Sequence, residues 1–594
     1  MIEKSNYAIE LSEAGGVPFL MENGLPYPTA TYRTDVHRQC LNDSFVLEPK
    51  GQSVSLPLCF GTEKRPLPEE SIVLTGRFRI NLDDLPVKRL VIESVFHSIL
   101  VTVNGKKIGE SHTPHLPSVF SLADVLFTDS ENRIELVISH QLDETTLPIY
   151  QFMGHKPGWQ LFPGVLGDVY IESLPKCYCF KADISSEKLF EARLLFWTDG
   201  CPVEYTYRLH DENSAAVLEG EGTATPESDS MVAPATLVYK VENPRQWSPA
   251  NPQLYYLEVA CQSVTQTYRF GIRTVKAAGG QLLLNGTPFV LRGICRHQET
   301  DSDGILMPIS DLRREFELSS ELGANFMRLT HYPHSDLTYE LADERGFGIW
   351  SEIGNYQAGM GVIQGIFGKS LEIRKSGKKS IFRLLRSRRQ MTNPMYLKHV
   401  KSSIRKMIER LRNHPSIMFW GVGNECWSYG RGAAQVLREL RTLCLSLDNS
   451  RVPAYAAFCL PIVANMFETS FKIFDVVCCN EYFGWYYGKR GQAEGFWRRL
   501  KQKYPEKALI LTETGSDAFI ADNASLERQC HMLESHLRLL GSPLSGICVW
   551  LFKDFRCPEY GVDEQAKGRN SKGLLTHNYE KKPAFSTVQH RFHL

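Results

Sequence analysis

The sequence predicts a multidomain chain in which two antiparallel β-sandwiches precede a (β/α)8 TIM barrel, and three observations carry that prediction. The first is length: 594 residues exceed what one hydrophobic core supports. The second is a rhythm of short alternating segments up to about residue 273, with helical periodicity almost absent. The third is a change after FGIRTV (270–275). Beyond it apolar strands alternate with amphipathic helices, the signature of parallel βα units.

The elements follow in order. Residues 1–176 contain segments such as IVLTGRFRI (72–80) and LVIESVFHSILVTVNG (90–105), broken by turns such as Asn104-Gly105, and read as an antiparallel sandwich. Residues 177–273, with ARLLFW (192–197), VEYTYRL (203–209) and LYYLEVACQ (254–262), have the length and strand density of an immunoglobulin-like sandwich. Residues 274–594 supply eight strand candidates: FVLRGIC (289–295), NFMRLT (325–330), FGIWS (347–351), SIMFWGV (416–422), PAYAAF (453–458), DVVCC (475–479), ALILT (508–512) and GICVWLF (546–552). Ser310 is expected to cap a helix that Gly323 ends, and a second helix closes at Gly346. The stretch 359–393 fits no barrel element. It reads as a solvated loop over the third strand or a lid, with KKSIFRLLRSRR (378–389) able to form a cationic amphipathic helix.

Bulk properties exclude several classes. Lys plus Arg and Asp plus Glu both total 67, so nothing suggests a nucleic-acid partner. No window approaches the roughly 18 apolar residues of a membrane helix, and MIEKSNYAIE (1–10) has no signal-peptide core. The 15 cysteines are scattered without metal spacing, which points to a reducing cytoplasm. Cys426 lacks a histidine placed to activate it as a nucleophile.

In a barrel of this kind function gathers at the strand C-terminal ends. Those ends carry Arg296, His297, His331, Glu352, Asn424, Glu425, Asn480, Glu481, Glu513 and Trp550. Glu425 and Glu513 each close an apolar strand. Two carboxylates so placed are the equipment for cleaving a glycosidic bond, and a retaining mechanism needs them about 5–5.5 Å apart.

The segments FGIRTV (270–275), LNG (284–286), RGICRHQ (292–298), GANFMRLTHYPHS (323–335), ADERGFGIW (342–350) and GNE (423–425) together resemble glycoside hydrolase family 2. The resemblance implies a jelly-roll, sugar-binding-like first domain and a retaining mechanism, with Glu425 matching the acid/base and Glu513 the nucleophile. It implies no metal or organic cofactor, a small-molecule glycoside as partner, and leaves homo-oligomerisation open. NEYFGWYYG (480–488) and Asn570-Ser571-Lys572-Gly573 are similar to the β-glucuronidase branch. There a Lys ammonium with an Asn amide suits the C6 carboxylate of a uronic acid.

By matched motif, Asn424 holds the sugar 2-hydroxyl, Tyr482 stands beside the nucleophile, and Trp550 forms an apolar floor. Asn480, Trp485, Tyr486 and Arg569 join the substrate-binding set, Arg569 as further positive charge. His331 either contacts substrate or is a structural histidine, and Arg296, His297 and Glu352 form a supporting charge network. One departure stands out. Glucuronidases contribute a first-domain aspartate near C3 and C4, whereas here Gly158-Trp159 stands at that place with no Asp before Asp168. The resemblance therefore implies a β-glucuronidase, with β-galacturonidase or dual specificity as the alternative, then a β-galactosidase or a non-catalytic carbohydrate-binding protein.

Overall fold

The computed structural model describes residues 9–81, 85–148, 157–185, 190–241, 244–360, 389–459, 468–558 and 568–594. The expected loop or lid lies mostly at 361–388, outside the described residues. At its outgoing end Asn393 accepts hydrogen bonds from Met395 N and Tyr396 N, capping helix Pro394–Leu411 with Pro394 at the first helical position.

The first β part stacks a six-stranded antiparallel sheet, which includes Ile72–Phe78 and Asn132–Ser139, on a four-stranded one, which includes Val87–Ile92 and Val169–Leu174. The period of two maps onto the faces. In Asn132–Ser139 the side chains of Ile134, Leu136 and Ile138 are buried while Arg133 faces solvent. The second β part is a sandwich of three and five strands, and its five-stranded sheet borrows Arg33–Thr34 as an edge strand beside Val264–Phe270. So short a strand from so far upstream leaves no periodic trace in the sequence.

All eight predicted barrel strands form one closed parallel barrel, in order Leu291–Arg296, Phe326–Leu329, Gly348–Glu352, Ile417–Asn424, Val452–Phe458, Val476–Asn480, Ala508–Thr514 and Gly546–Val549. Helix Ile309–Leu322 ends at Gly323, whose φ of +82° suits a residue without Cβ. Its start corrects the expectation for Ser310. Pro308 is the N-cap and its carbonyl accepts from Leu312 N, so Ser310 lies within the first turn. Gly346 closes helix Asp336–Arg345 as expected.

Helix Pro394–Leu411 locks the β parts to the barrel. Lys406 Nζ reaches Glu22 at 2.9 Å and Thr113 at 2.8 Å, while Glu409 receives Lys181 Nζ at 2.6 Å and Thr29 at 3.2 Å. These charges are buried, so each needs its partner. No helix among the described residues is long and apolar enough to cross a membrane.

Candidate active site

The fourth barrel strand, Ile417–Asn424, is buried along its whole length and delivers Glu425 at the barrel mouth. Glu425 has a left-handed φ of +51°, and its N–H donates to Ala456 O at 2.8 Å across to the fifth strand. The seventh strand delivers Glu513, which stands in register with Asn480 of the sixth. Asn480 ties the two ends together. Its Nδ2 donates to Glu425 Oε1 at 2.8 Å and to Asn424 Oδ1 at 3.0 Å, and its Oδ1 accepts from Thr512 at 2.7 Å.

The two carboxylates receive different donors. Glu513 Oε1 accepts from Arg328 Nη1 at 2.6 Å, and Oε2 accepts from the Tyr482 hydroxyl at 2.8 Å. Among the described residues Glu425 accepts only from neutral amides, Asn480 on Oε1 and Gln357 Nε2 on Oε2, each at 2.8 Å. Burial pushes the Glu513 carboxyl up to about 8, with Arg328 pulling it back and the charge of Glu425 adding to the rise. Burial also raises Glu425, against the pull of its two amides. Like charges in one buried site retain one proton between them. That proton belongs on Glu425, because protonating Glu513 forfeits a charge-assisted bond to a guanidinium whereas Glu425 has only amides to lose.

Arg328 is the hub that the sequence reading missed. Beyond Glu513 it donates to Asn424 Oδ1 at 2.8 Å and to both Glu352 oxygens at 3.1 Å. It sits in Phe326–Leu329, where every position is buried, and an arginine inside such a strand is the signal that could have found it. Glu352 belongs to this network as expected. Against burial, which raises it, Arg328 and His331 pull its carboxyl below the usual range. Arg296 does not belong to it: it pairs with Glu315 at 2.6 Å and faces His334 at 2.8 Å, toward the outer helices. The inner face of the second strand, not the end of the first, points at the carboxylates.

His331 Nδ1 lies 2.7 Å from Glu352 Oε1, and burial pushes the imidazole down to about 4. It is therefore neutral, with Nδ1–H donating to the carboxylate and Nε2 left as an acceptor. Its ring stacks on Trp550 at 5.4 Å, and Trp159 of the first β part leans on it at 5.5 Å. His297 stacks on Phe555 at 4.1 Å rather than joining the ion pairs. Glu481 turns away, toward Trp497 at 3.2 Å and His536. Asn424 Nδ2 is buried without a hydrogen-bond partner among the described residues, a donor available to a sugar hydroxyl.

Lys572 and Asn570, the residues expected to hold a uronate, bring one surprise. Lys572 is buried, and its ammonium lies 5.5 Å from the Trp485 ring and 5.4 Å from that of Tyr486. Yet it already contacts both oxygens of Asp517, at 3.0 and 2.9 Å. Asn570 accepts from Lys572 N at 3.3 Å. Arg569, expected to add positive charge, is likewise paired with an aspartate, Asp301 at 2.9 Å. Cys426 is buried against Asn355, and burial pushes its thiol up to about 12, which fits no nucleophilic role.

A family model described as glycosyl hydrolases family 2, TIM barrel domain, matches residues 275–594, and one described as glycosyl hydrolases family 2 matches residues 190–273. Among curated proteins the chain is similar to a β-glucuronidase of Streptococcus agalactiae, 26% identical over 538 residues that cover 84% of each chain. It is similar to a β-glucuronidase of Sus scrofa, 24% identical over 572 residues covering 88% of this chain and 80% of that one. Among solved structures, a β-galacturonidase from Eisenbergiella tayi bound to galacturonate shares the fold with a TM-score of 0.78 at 20% identity, covering 96% of this chain and 99% of that one. A Bacteroides uniformis β-glucuronidase does so with a TM-score of 0.77 at 21% identity, covering 93% and 69%.

Proposed function

The chain belongs to glycosyl hydrolase family 2, and we propose that it is a retaining exo-β-hexuronidase, removing a terminal β-linked uronic acid through a covalent glycosyl-enzyme. The observation that carries this reading is the unequal provisioning of the carboxylates. Glu513 has a guanidinium and a phenol holding it ionised, while Glu425 has neutral amides and keeps a proton. In the first step a Glu513 oxygen bonds to C1 as the C1–O bond breaks, and the proton of Glu425 goes to the departing aglycone oxygen. In the second, Glu425 takes a proton from water, the water oxygen bonds to C1, and Glu513 leaves as carboxylate. Asn424 Nδ2 meets the 2-hydroxyl and Trp550 supports the ring.

The sugar is read as a uronic acid because the buried Lys572 ammonium, shared with Asp517 and flanked by two aromatic rings, suits a C6 carboxylate by a charge-assisted bond that a neutral hydroxymethyl group does not match. Relatives named β-glucuronidase support glucuronate first. One observation favours galacturonate as the second reading: Trp159, not a carboxylate, faces His331 and Tyr356 at the rim. All fifteen cysteines are free thiols, which supports a cytoplasmic setting.

Rates with nitrophenyl β-glucuronide, β-galacturonide and β-galactoside test the assignment. Faster cleavage of the neutral galactoside than of either uronide refutes the uronate reading. Glu513→Gln is expected to abolish hydrolysis, and hydrolysis that survives it intact refutes the nucleophile.

A further inference from the structure

Two residues of the barrel mouth with left-handed backbones touch each other. Gln357 has φ +49° and Glu425 has φ +51°, and their side chains meet through Gln357 Nε2 donating to Glu425 Oε2 at 2.8 Å. For residues with a Cβ this conformation is unfavourable by roughly 1–3 kcal/mol and persists only where the surroundings impose it. Here they do. Asn424 N donates to Asn355 O at 2.9 Å, Gln357 N donates to Asn424 O at 2.8 Å, and Trp427 N donates to Ala358 O at 2.7 Å. Asn355 Nδ2 donates to Val422 O at 2.8 Å, and its Oδ1 accepts from Tyr396 at 2.7 Å. The segment after the third strand is thus laced along the end of the fourth, and the lacing aims one amide at the acid/base carboxyl.

We propose that Gln357 is a positioning residue for acid catalysis, orienting the Glu425 carboxyl and stabilising the carboxylate that proton donation creates. This rests on the reading of Glu425 as the acid/base. Asn480, held by Thr512 and Asn424, occupies Oε1. Gln357 engages the other oxygen, from the loop that follows the third strand. A donor to a carboxylate favours the ionised form, so Gln357 strengthens Glu425 as an acid and offsets its burial. When the proton moves to the aglycone oxygen, charge appears on Glu425 and the Gln357 bond becomes charge-assisted. The contribution is therefore larger in the transition state than in the ground state, where Glu425 is still protonated.

The test uses leaving groups of different acidity. A 2,4-dinitrophenol leaves without protonation, whereas an alkyl or unsubstituted phenyl aglycone needs the acid. In Gln357→Met, kcat/KM for phenyl β-uronide is expected to fall about 10- to 100-fold, the range of one hydrogen bond to a charged group. The fall for the 2,4-dinitrophenyl β-uronide is expected to be at least tenfold smaller, and the basic limb of the phenyl profile moves to higher pH. Gln357→Glu keeps the shape while adding a like charge, and moves that limb higher still. Equal losses on both aglycones, or a fixed pH limb in both variants, overturn the proposal while wild-type hydrolysis upholds the function. A wild-type protein that cleaves none of these uronides overturns the functional reading and this role with it.

Discussion

Replacing Lys572 with Met asks most of the uronate assignment, because the ammonium reaches the substrate already paired with Asp517. Two losses combine in the variant. A charge-assisted hydrogen bond to the C6 carboxylate is worth about 1.5–3 kcal/mol. Asp517 is then left without its cation, roughly 6 Å from the substrate carboxylate, where like-charge repulsion at an effective dielectric near 20 is about 3 kcal/mol. The sum of about 4–6 kcal/mol corresponds to a fall in kcat/KM for uronides of about 10³- to 10⁴-fold. In Lys572→Met/Asp517→Asn the repulsion is gone and the fall relative to wild type shrinks to about 10- to 150-fold. Nitrophenyl β-galactoside, with no C6 charge, reports damage to the shared machinery, and its rate is expected to fall by less than tenfold in either variant. Steady-state kinetics on matched uronide and galactoside, with circular dichroism to verify folding, complete the assay. Equal losses on both sugars refute the reasoning, and so does a double variant no better than the single.

Three further outcomes follow from buried charge. The proton that the buried Glu425–Glu513 pair keeps to about pH 8, and that the unfolded chain gives up near 4.5, makes the native state lose stability as pH climbs through that window. Glu425→Gln replaces the protonated carboxyl with a neutral amide and removes that penalty, so its thermal midpoint relative to wild type is expected to rise across that window, and a constant difference refutes the shift. Activity on uronides is expected to decline above about pH 8 as the pair loses its one shared proton. At the domain junction, Lys181→Met strands the buried Glu409 carboxylate and is expected to destabilise the protein by about 3–5 kcal/mol, with Lys181→Met/Glu409→Leu recovering most of it. Denaturant unfolding compares the three proteins, and a single variant as stable as wild type refutes the pair's importance.

Local chemistry written along the chain was legible without coordinates. Period-two and period-3.6 patterns identified two sandwiches and all eight barrel strands, because each strand must bury its own apolar residues whatever its neighbours. Motif order picked out Glu425, Glu513, Asn424, Asn480 and Tyr482, and the fold brings all five into one hydrogen-bonded group. Partnerships were not legible. Arg569 and Lys572 read alike as cations near a sugar, and each is paired with an aspartate, but Arg569 pairs with the half-exposed Asp301 whereas Lys572, paired with Asp517, is buried beside Trp485 and Tyr486. Arg328 stood inside the GANFMRLTHYPHS (323–335) motif without an assigned role and Gln357 stood in no motif, yet one is the hub of the charge network and the other touches the acid/base. The sequence by itself determined which chemistry this protein is equipped for, since residue types and strand ends are local properties. Only the tertiary structure decided which charges remain for a substrate and where the shared proton rests, because pairing and burial depend on groups brought together from distant parts of the chain.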